Sequence, residues 1–71
     1  MREVDTLGDA LPREIARVRD EVLPAYIEIG PAGQFAVAMM RADLDRASHA
    51  MIAGDLVEMI RVHQQLKSYS L

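Results

Sequence analysis

Two glycine corners divide a chain whose apolar residues recur at spacings of three and four. The first corner is Gly30-Pro31-Ala32-Gly33, and the second is Gly54-Asp55. Gly30 suits the left-handed residue after a helix, and Pro31 suits the first position of the next one. Apolar residues at this spacing form one buried face of a helix. The sequence therefore predicts an all-α fold with helices at about 10–29, 31–53 and 55–68.

The first predicted helix begins near Asp9, whose side chain can cap the free amides, with Pro12 in its first turn. The charged face that includes Arg17 should lie in water. Pro24 cannot donate to the carbonyl of Asp20, but the apolar phase continues past it, so we expect a kink and not a helix end. The predicted buried face holds Leu11, Ile15, Val18, Val22, Tyr26 and Ile29.

The second predicted helix is apolar on two sides in its first half. Phe35, Met39 and Ala42 form a second stripe beside the main face, and a helix that is apolar on both sides is usually buried on both sides. We expect Phe35 and Met39 to form a dimer or partner surface. The main face holds Ala36, Met40, Leu44, Ala47 and Met51. The residues assigned to partner binding are Tyr26, Phe35, Val37 and Met39.

The third predicted helix starts with Asp55 as its cap and Glu58 three residues on, which is similar to a capping box. Its apolar arc covers roughly half of the circumference, more than one neighbouring helix can bury. Either both other helices pack on it, or a second copy of the chain does. The residues assigned to a dimer interface are Leu56, Met59, Ile60, His63 and Leu66.

Chain length favours self-association. Seventy-one residues form one domain at most, and a core of this size rarely supplies more than roughly 3–5 kcal/mol. The chain has no cysteine, so disulfides and thiolate metal sites cannot add support. We therefore expect an antiparallel hairpin or bundle of two to three helices over residues 9–71, completed by homodimerisation. Residues 1–8 are expected to be a flexible lead-in.

Charge and hydropathy limit the partners and the compartment. The net charge is −3 and the pI is near 5.2, which argues against nucleic acid and mildly favours a basic protein partner. The first residues carry acids and an arginine and no apolar run, so we expect no signal peptide. No apolar stretch approaches the roughly 18 residues that cross a bilayer. We expect a cytoplasmic protein with no membrane partner.

The spacing of the candidate catalytic residues does not support an enzyme. His49 and His63 have no second ligand at metal-binding spacing, and the carboxylates fall at caps or on opposite helix faces. The serines have no glycine-flanked elbow, and Gly30 to Gly33 is too short for a phosphate loop. We expect no enzyme activity, no cofactor, no metal and no small-molecule substrate.

The second and third helices vaguely resemble a helix-turn-helix across the Gly54 corner. A recognition helix carries basic and amide groups near its start, where it meets the groove. This helix begins Asp55-Leu56-Val57-Glu58, which is acidic and apolar. We therefore expect no nucleic-acid partner.

Three stretches carry a family resemblance: Leu11 to Arg19, Tyr26 to Gly33 and Ala50 to Val57. They resemble small proteins encoded by transposable, Mu-like bacteriophages of Pseudomonas and its relatives, with similarity over residues 10–70. That group includes a quorum-sensing anti-activator, a helical dimer that binds the DNA-binding region of a LuxR-type transcription activator and also a type IV pilus assembly ATPase. The resemblance assigns no contact residue to this chain.

This resemblance implies a phage inhibitor that occludes a host protein, most simply the DNA-binding region of a LuxR-type activator. Two other functions stay open. One is an antagonist of another host machine, for instance a defence complex, and the other is a structural or assembly protein without an inhibitory role. An assembly component should form higher-order species, whereas an inhibitor should remain a small dimer.

Overall fold

The computed structural model describes residues 6–71, and this part of the chain is all-α, as predicted. Of the predicted flexible lead-in, residues 1–5 lie outside the described residues. Leu7 and Gly8 already belong to the first helix. The elements in chain order are α1 (Leu7–Arg17), a π turn (Val18–Val22), α2 (Leu23–Ile29), a 3-10 turn (Gly30–Gly33), α3 (Gln34–Ala53) and α4 (Leu56–Lys67).

Thr6, and not Asp9, caps α1. The side chain of Thr6 accepts a hydrogen bond from the backbone N–H of Asp9 at 3.2 Å, and its hydroxyl donates to the Asp9 carboxylate at 3.0 Å. A hydroxyl at this position satisfies one of the free amides of the first turn. Because the helix starts earlier than predicted, Pro12 lies inside α1 and not in its first turn.

The helix continues past Pro24, as predicted, and a π turn makes this possible. The backbone N–H of Leu23 donates to the carbonyl of Val18, five residues earlier. The wider turn accommodates a residue that lacks an N–H, and its extra residue rotates the following helix by about 100°. Leu23 is therefore buried, whereas Ile29, predicted on the buried face, is 56% exposed.

The Gly30 corner reverses the direction of the chain, as predicted. Gly30 has a φ of +84°, which glycine adopts without the clash that a Cβ would cause. An uninterrupted straight helix over residues 7–53 would be about 70 Å long, whereas the longest extent of the molecule is 44 Å. The reversal lets α1 pack against α3.

The Gly54 corner also follows the prediction. Gly54 ends α3 in the left-handed conformation, with a φ of +66°. The side chain of Asp55 accepts a hydrogen bond from the backbone N–H of Glu58 at 3.1 Å, so it caps α4. A short corner of this kind places the two flanking helices side by side.

Helices α1, α3 and α4 contact one another. Arg46 of α3 bonds Glu58 near the start of α4, and Tyr69, beyond the end of α4, bonds Asp43, so α3 and α4 are antiparallel. Arg17, predicted in water, donates to two carbonyls at the end of α4. Helix α1 therefore runs parallel to α4, and both other helices cover part of the wide apolar arc of α4.

The core lies where these three helices meet the π turn. Met51, predicted on the main face of α3, is exposed, and Ala50 and Asp43 are buried instead. The reason is that α4 packs on the side of α3 that carries Asp43, Arg46 and Ala50, which rotates the buried face away from Met51. The buried apolar residues are Leu11, Val18, Val22, Leu23, Met40, Ala47, Ala50, Val62 and Leu66.

Candidate interaction surfaces

Large apolar side chains are exposed around both corners. Around the first corner are Ile27, Ile29, Phe35 and Met39, here called the Gly30 surface. Around the second are Met51, Ile52, Leu56, Val57 and Ile60, here called the Gly54 surface. Single exposed apolar residues are ordinary, but a contiguous group marks an interaction site. Helix α3 has 20 residues and separates the two corners by about 30 Å.

The Gly30 surface contains two of the four residues predicted to bind a partner. Phe35 and Met39 lie one turn apart on α3 and are 77% and 41% exposed. Tyr26 and Val37 are half-buried and pack against the core. The Tyr26 hydroxyl also donates to the backbone carbonyl of Ser70 at 3.1 Å. Phe35 and Met39 therefore present free apolar surface. Most of the surface of Tyr26 and Val37 is already used in packing against the core.

A groove of about 470 Å³ lies between α2 and α3 beside this surface. Ile27, Pro31 and Val37 form apolar parts of its wall, and Gln34 and Arg41 are its polar residues. Small-molecule sites combine apolar walls with several converging polar groups. This groove has few such groups and is open to solvent, so its shape suits an apolar side chain of a protein partner.

The residues predicted to form a dimer interface have different environments. Leu56 and Ile60 are exposed, and Met59 and His63 are half-buried. Leu66 is fully buried within the single chain. It has no surface left for a second copy, because α1 and α3 both pack on its side of α4. Its assignment to a dimer interface is therefore corrected, and Leu66 is a core residue.

Besides Met51, two exposed residues of the Gly54 surface were not among the predicted site residues. Ile52 is 85% exposed at the end of α3, and Val57 is exposed in the first turn of α4. The sequence carries a signal for both, because apolar residues on each side of a corner glycine cannot all point into one core. Their positions extend the exposed part of α4 around the corner.

A polar cluster joins α3 to α4 close to the core. The Tyr69 hydroxyl donates to Oδ2 of the buried Asp43 at 2.6 Å, and Nη1 of Arg46 donates to Oδ1 at 2.9 Å. Nε of Arg46 donates to Glu58 at 2.8 Å. Burial, and then the bond to Asp43, raises the pKa of Tyr69, and the bond to Glu58 raises the pKa of Arg46. Since both Asp43 oxygens accept hydrogen bonds, the cluster stabilises the fold and leaves no free base.

The Tyr69 bond predicts a loss of stability at high pH. The raised pKa means that the folded protein holds this proton more tightly than the unfolded chain, where the pKa of tyrosine is about 10. The bond is fully effective below pH ~10, and its contribution falls as pH rises through the folded pKa, by at most about 1.4 kcal/mol per pH unit. Urea unfolding between pH 8 and 11 should show this fall in the free energy of unfolding.

Tyr69→Phe should give a shallower fall over the same pH range and a lower free energy of unfolding at pH 8. Tyr26→Phe is the matched control, because its hydroxyl donates to a backbone carbonyl and not to a carboxylate. It leaves both hydrogen bonds of Asp43 in place. Identical pH profiles for wild type and Tyr69→Phe would contradict the role given to the Asp43 bond.

Within residues 6–71, no three His, Cys, Asp or Glu side chains come together in a way that could hold a metal ion. No buried side-chain nitrogen or oxygen in the same range lacks a hydrogen-bond partner. None of the described helices combines the length and apolar character that a membrane crossing requires.

No family model, curated protein or solved structure matches the chain. The stretches Tyr26 to Gly33 and Ala50 to Val57 contain the two corners. They contribute Ile27 and Ile29 to the Gly30 surface and most of the Gly54 surface.

Proposed function

We propose that this chain is a homodimeric, protein-binding inhibitor that occludes a basic surface of another protein. The observation that carries the proposal is the exposure of Phe35 beside Met39 on a rigid helix. Burying a side chain of this size contributes about 1.5–3 kcal/mol, and aromatic residues in apolar surroundings are typical anchors of protein interfaces. The adjoining groove between α2 and α3 can take a side chain of the partner in return.

The charge of the chain supports a basic partner. Its net charge is −3, and Glu28, which lies between Ile27 and Ile29 of the Gly30 surface, is exposed without an ion pair within residues 6–71. Complementary charge speeds encounter, while buried apolar anchors supply affinity. Such a surface suits a helical DNA-binding region, whose basic residues contact phosphates when DNA is bound.

The family resemblance suggests which basic protein this is. The phage anti-activator in the group that the chain resembles binds the DNA-binding region of a LuxR-type transcription activator. We propose the same class of target here, with the type IV pilus assembly ATPase as a second target. The mechanism is stoichiometric occlusion: the chain and the promoter compete for one surface of the activator. It needs no catalytic group and no cofactor.

Competition can be measured by a gel shift. The purified chain is titrated into a complex of a LuxR-type activator with its promoter DNA, and we expect the retarded band to disappear near one chain per activator subunit. The double substitution Phe35→Ala and Met39→Ala should raise the concentration needed at least tenfold, because loss of interface anchors costs about 1.4 kcal/mol or more.

Ile52→Ala is the matched control, since Ile52 is exposed to a similar degree but lies at the other corner. It should inhibit as the wild type does. All three proteins should unfold at similar temperatures, because exposed side chains contribute little to the core. A retarded band that persists at saturating wild-type chain would contradict the proposal for this target.

A further inference from the structure

The exposed face of α4 has the spacing of a coiled-coil seam. Leu56, Ile60, His63 and Lys67 follow one another at intervals of four, three and four residues, which keeps them in one row along a helix. Leu56, Ile60 and Lys67 are exposed and His63 is half-buried. Leu66 lies on the adjoining side and is already in the core. The row is therefore a separate face that the single chain leaves uncovered.

We infer that a second copy of this chain covers this face, with the two α4 helices antiparallel about a twofold axis between Ile60 and His63. The inference rests on the homodimer of the proposed function and assigns its interface and direction. Leu56 then lies opposite Lys67 of the second copy, and Ile60 lies opposite His63 of the second copy. A twofold axis presents the same patch on both subunits, as a closed dimer requires.

Charge decides between the two directions. A parallel pair would place the two Lys67 side chains opposite each other, where like charges repel. An antiparallel pair separates them and brings each Lys67 to the acidic start of the other α4, where Asp55 is exposed and forms no ion pair within residues 6–71. It also places each helix N-terminus beside the C-terminus of its neighbour, which the helix dipoles favour.

The available area agrees with a weak dimer interface. The exposed fractions of three α4 residues correspond to roughly 300 Å² of apolar surface per copy, at the lower end of the ~300–600 Å² typical of a functional patch. Doubled, this is about 600 Å², below the roughly 1,200 Å² at which stable specific interfaces begin. A dimer of this size should dissociate on dilution. The three residues are Leu56, Val57 and Ile60.

Cysteine cross-linking can determine whether the two α4 helices are parallel or antiparallel, because the sequence contains no cysteine of its own. In the antiparallel dimer, a cysteine at position 56 meets position 67 of the other copy. The two copies of position 56 are about 16 Å apart along the helices, whereas a disulfide needs Cα atoms within about 7 Å. A mixture of Leu56→Cys and Lys67→Cys should form mixed disulfides, and Leu56→Cys alone should form almost none.

Sedimentation equilibrium tests the dimer itself. The wild type should change from monomer to dimer over the micromolar range, and Ile60→Asp should weaken association at least tenfold. Ile29→Asp, on the Gly30 surface, is the matched control and should associate as the wild type does. Far-UV circular dichroism of each variant establishes that it is folded before association is compared.

Each contrary result has a distinct meaning. Rapid disulfide formation by Leu56→Cys alone, with a wild type that dimerises, would overturn the antiparallel direction and leave the homodimer standing. A wild type that stays monomeric at millimolar concentration would overturn the dimer. Loss of association in Ile29→Asp but not in Ile60→Asp would overturn the assignment to α4. The gel shift with Phe35 and Met39 variants is a separate result, so inhibition and self-association can fail independently.

Discussion

Replacing Gly33 with alanine should remove most of the chain's stability against unfolding. A Cβ at this position would lie 2.3 Å from the backbone carbonyl oxygen of Tyr26, and a backbone atom cannot move aside as the end of a flexible side chain can. Gly33 has an ordinary φ of −94°. Glycine is therefore required because a Cβ has no room, and not because of the backbone conformation. We expect a loss of about 3 kcal/mol, against the roughly 3–5 kcal/mol that a core of this size supplies.

Urea unfolding followed by far-UV circular dichroism measures this loss, and Gly30→Ala is the matched control. A Cβ at Gly30 would meet no other part of the fold within 4 Å, but the residue has a φ of +84°. Alanine there costs only the strain of a φ of +84° with a ψ of −142°, which lies outside the left-handed helical region, about 1–3 kcal/mol. Gly33→Ala should be less stable than Gly30→Ala, and both less stable than wild type. A Gly33→Ala midpoint equal to that of the wild type would contradict the close approach of α2 and α3.

The corners were predictable because their chemistry is local. Gly30 and Gly54 each adopt a positive φ, and Asp55 caps α4 through an amide three residues away. Each of these features depends on a few neighbouring residues, whose backbone preferences are the same in any fold. The all-α class and the number of corners follow from them.

The phase of the buried faces was not predictable in the same way. Thr6 and Asp9 are both good cap residues, and nothing local ranks one above the other. The π turn before Pro24 inserts one residue into the helical repeat, which places Leu23 in the core and Ile29 in solvent. The spacing of apolar residues assumes a regular repeat, so it fails after the insertion.

The candidate surfaces were predictable in part. Phe35 and Met39 lie off the main face of their helix, and this is visible in the sequence. The sequence does not show which part of the apolar arc of α4 is buried and which is exposed, because this depends on where α1 lies. Arg17 shows why: it donates to the carbonyls of Leu66 and Tyr69 at 3.0 and 2.8 Å and so fixes α1 against one side of α4. That contact spans about fifty residues of sequence and has no local signature.

Truncating two leucines of α4 should separate the core from the self-association face. Leu66 is fully buried, whereas Leu56 is 60% exposed. Leu66→Ala should lower the free energy of unfolding by about 2–5 kcal/mol, because it removes transfer energy and leaves a cavity between three helices. Leu56→Ala should change it by no more than about 0.5 kcal/mol when the chain is monomeric. Both are measured by urea unfolding at a concentration well below the dimer dissociation constant.

The same two variants should show the opposite order in self-association, since Leu56 lies in the proposed interface and Leu66 does not. Sedimentation at high concentration should show weaker dimerisation for Leu56→Ala, because it removes apolar surface opposite Lys67 of the second copy. The remaining folded fraction of Leu66→Ala should associate as the wild type does. If Leu56→Ala destabilised the monomer as much as Leu66→Ala, residues on that side of α4 would have to be part of the core. The coiled-coil row would then have no free surface to offer.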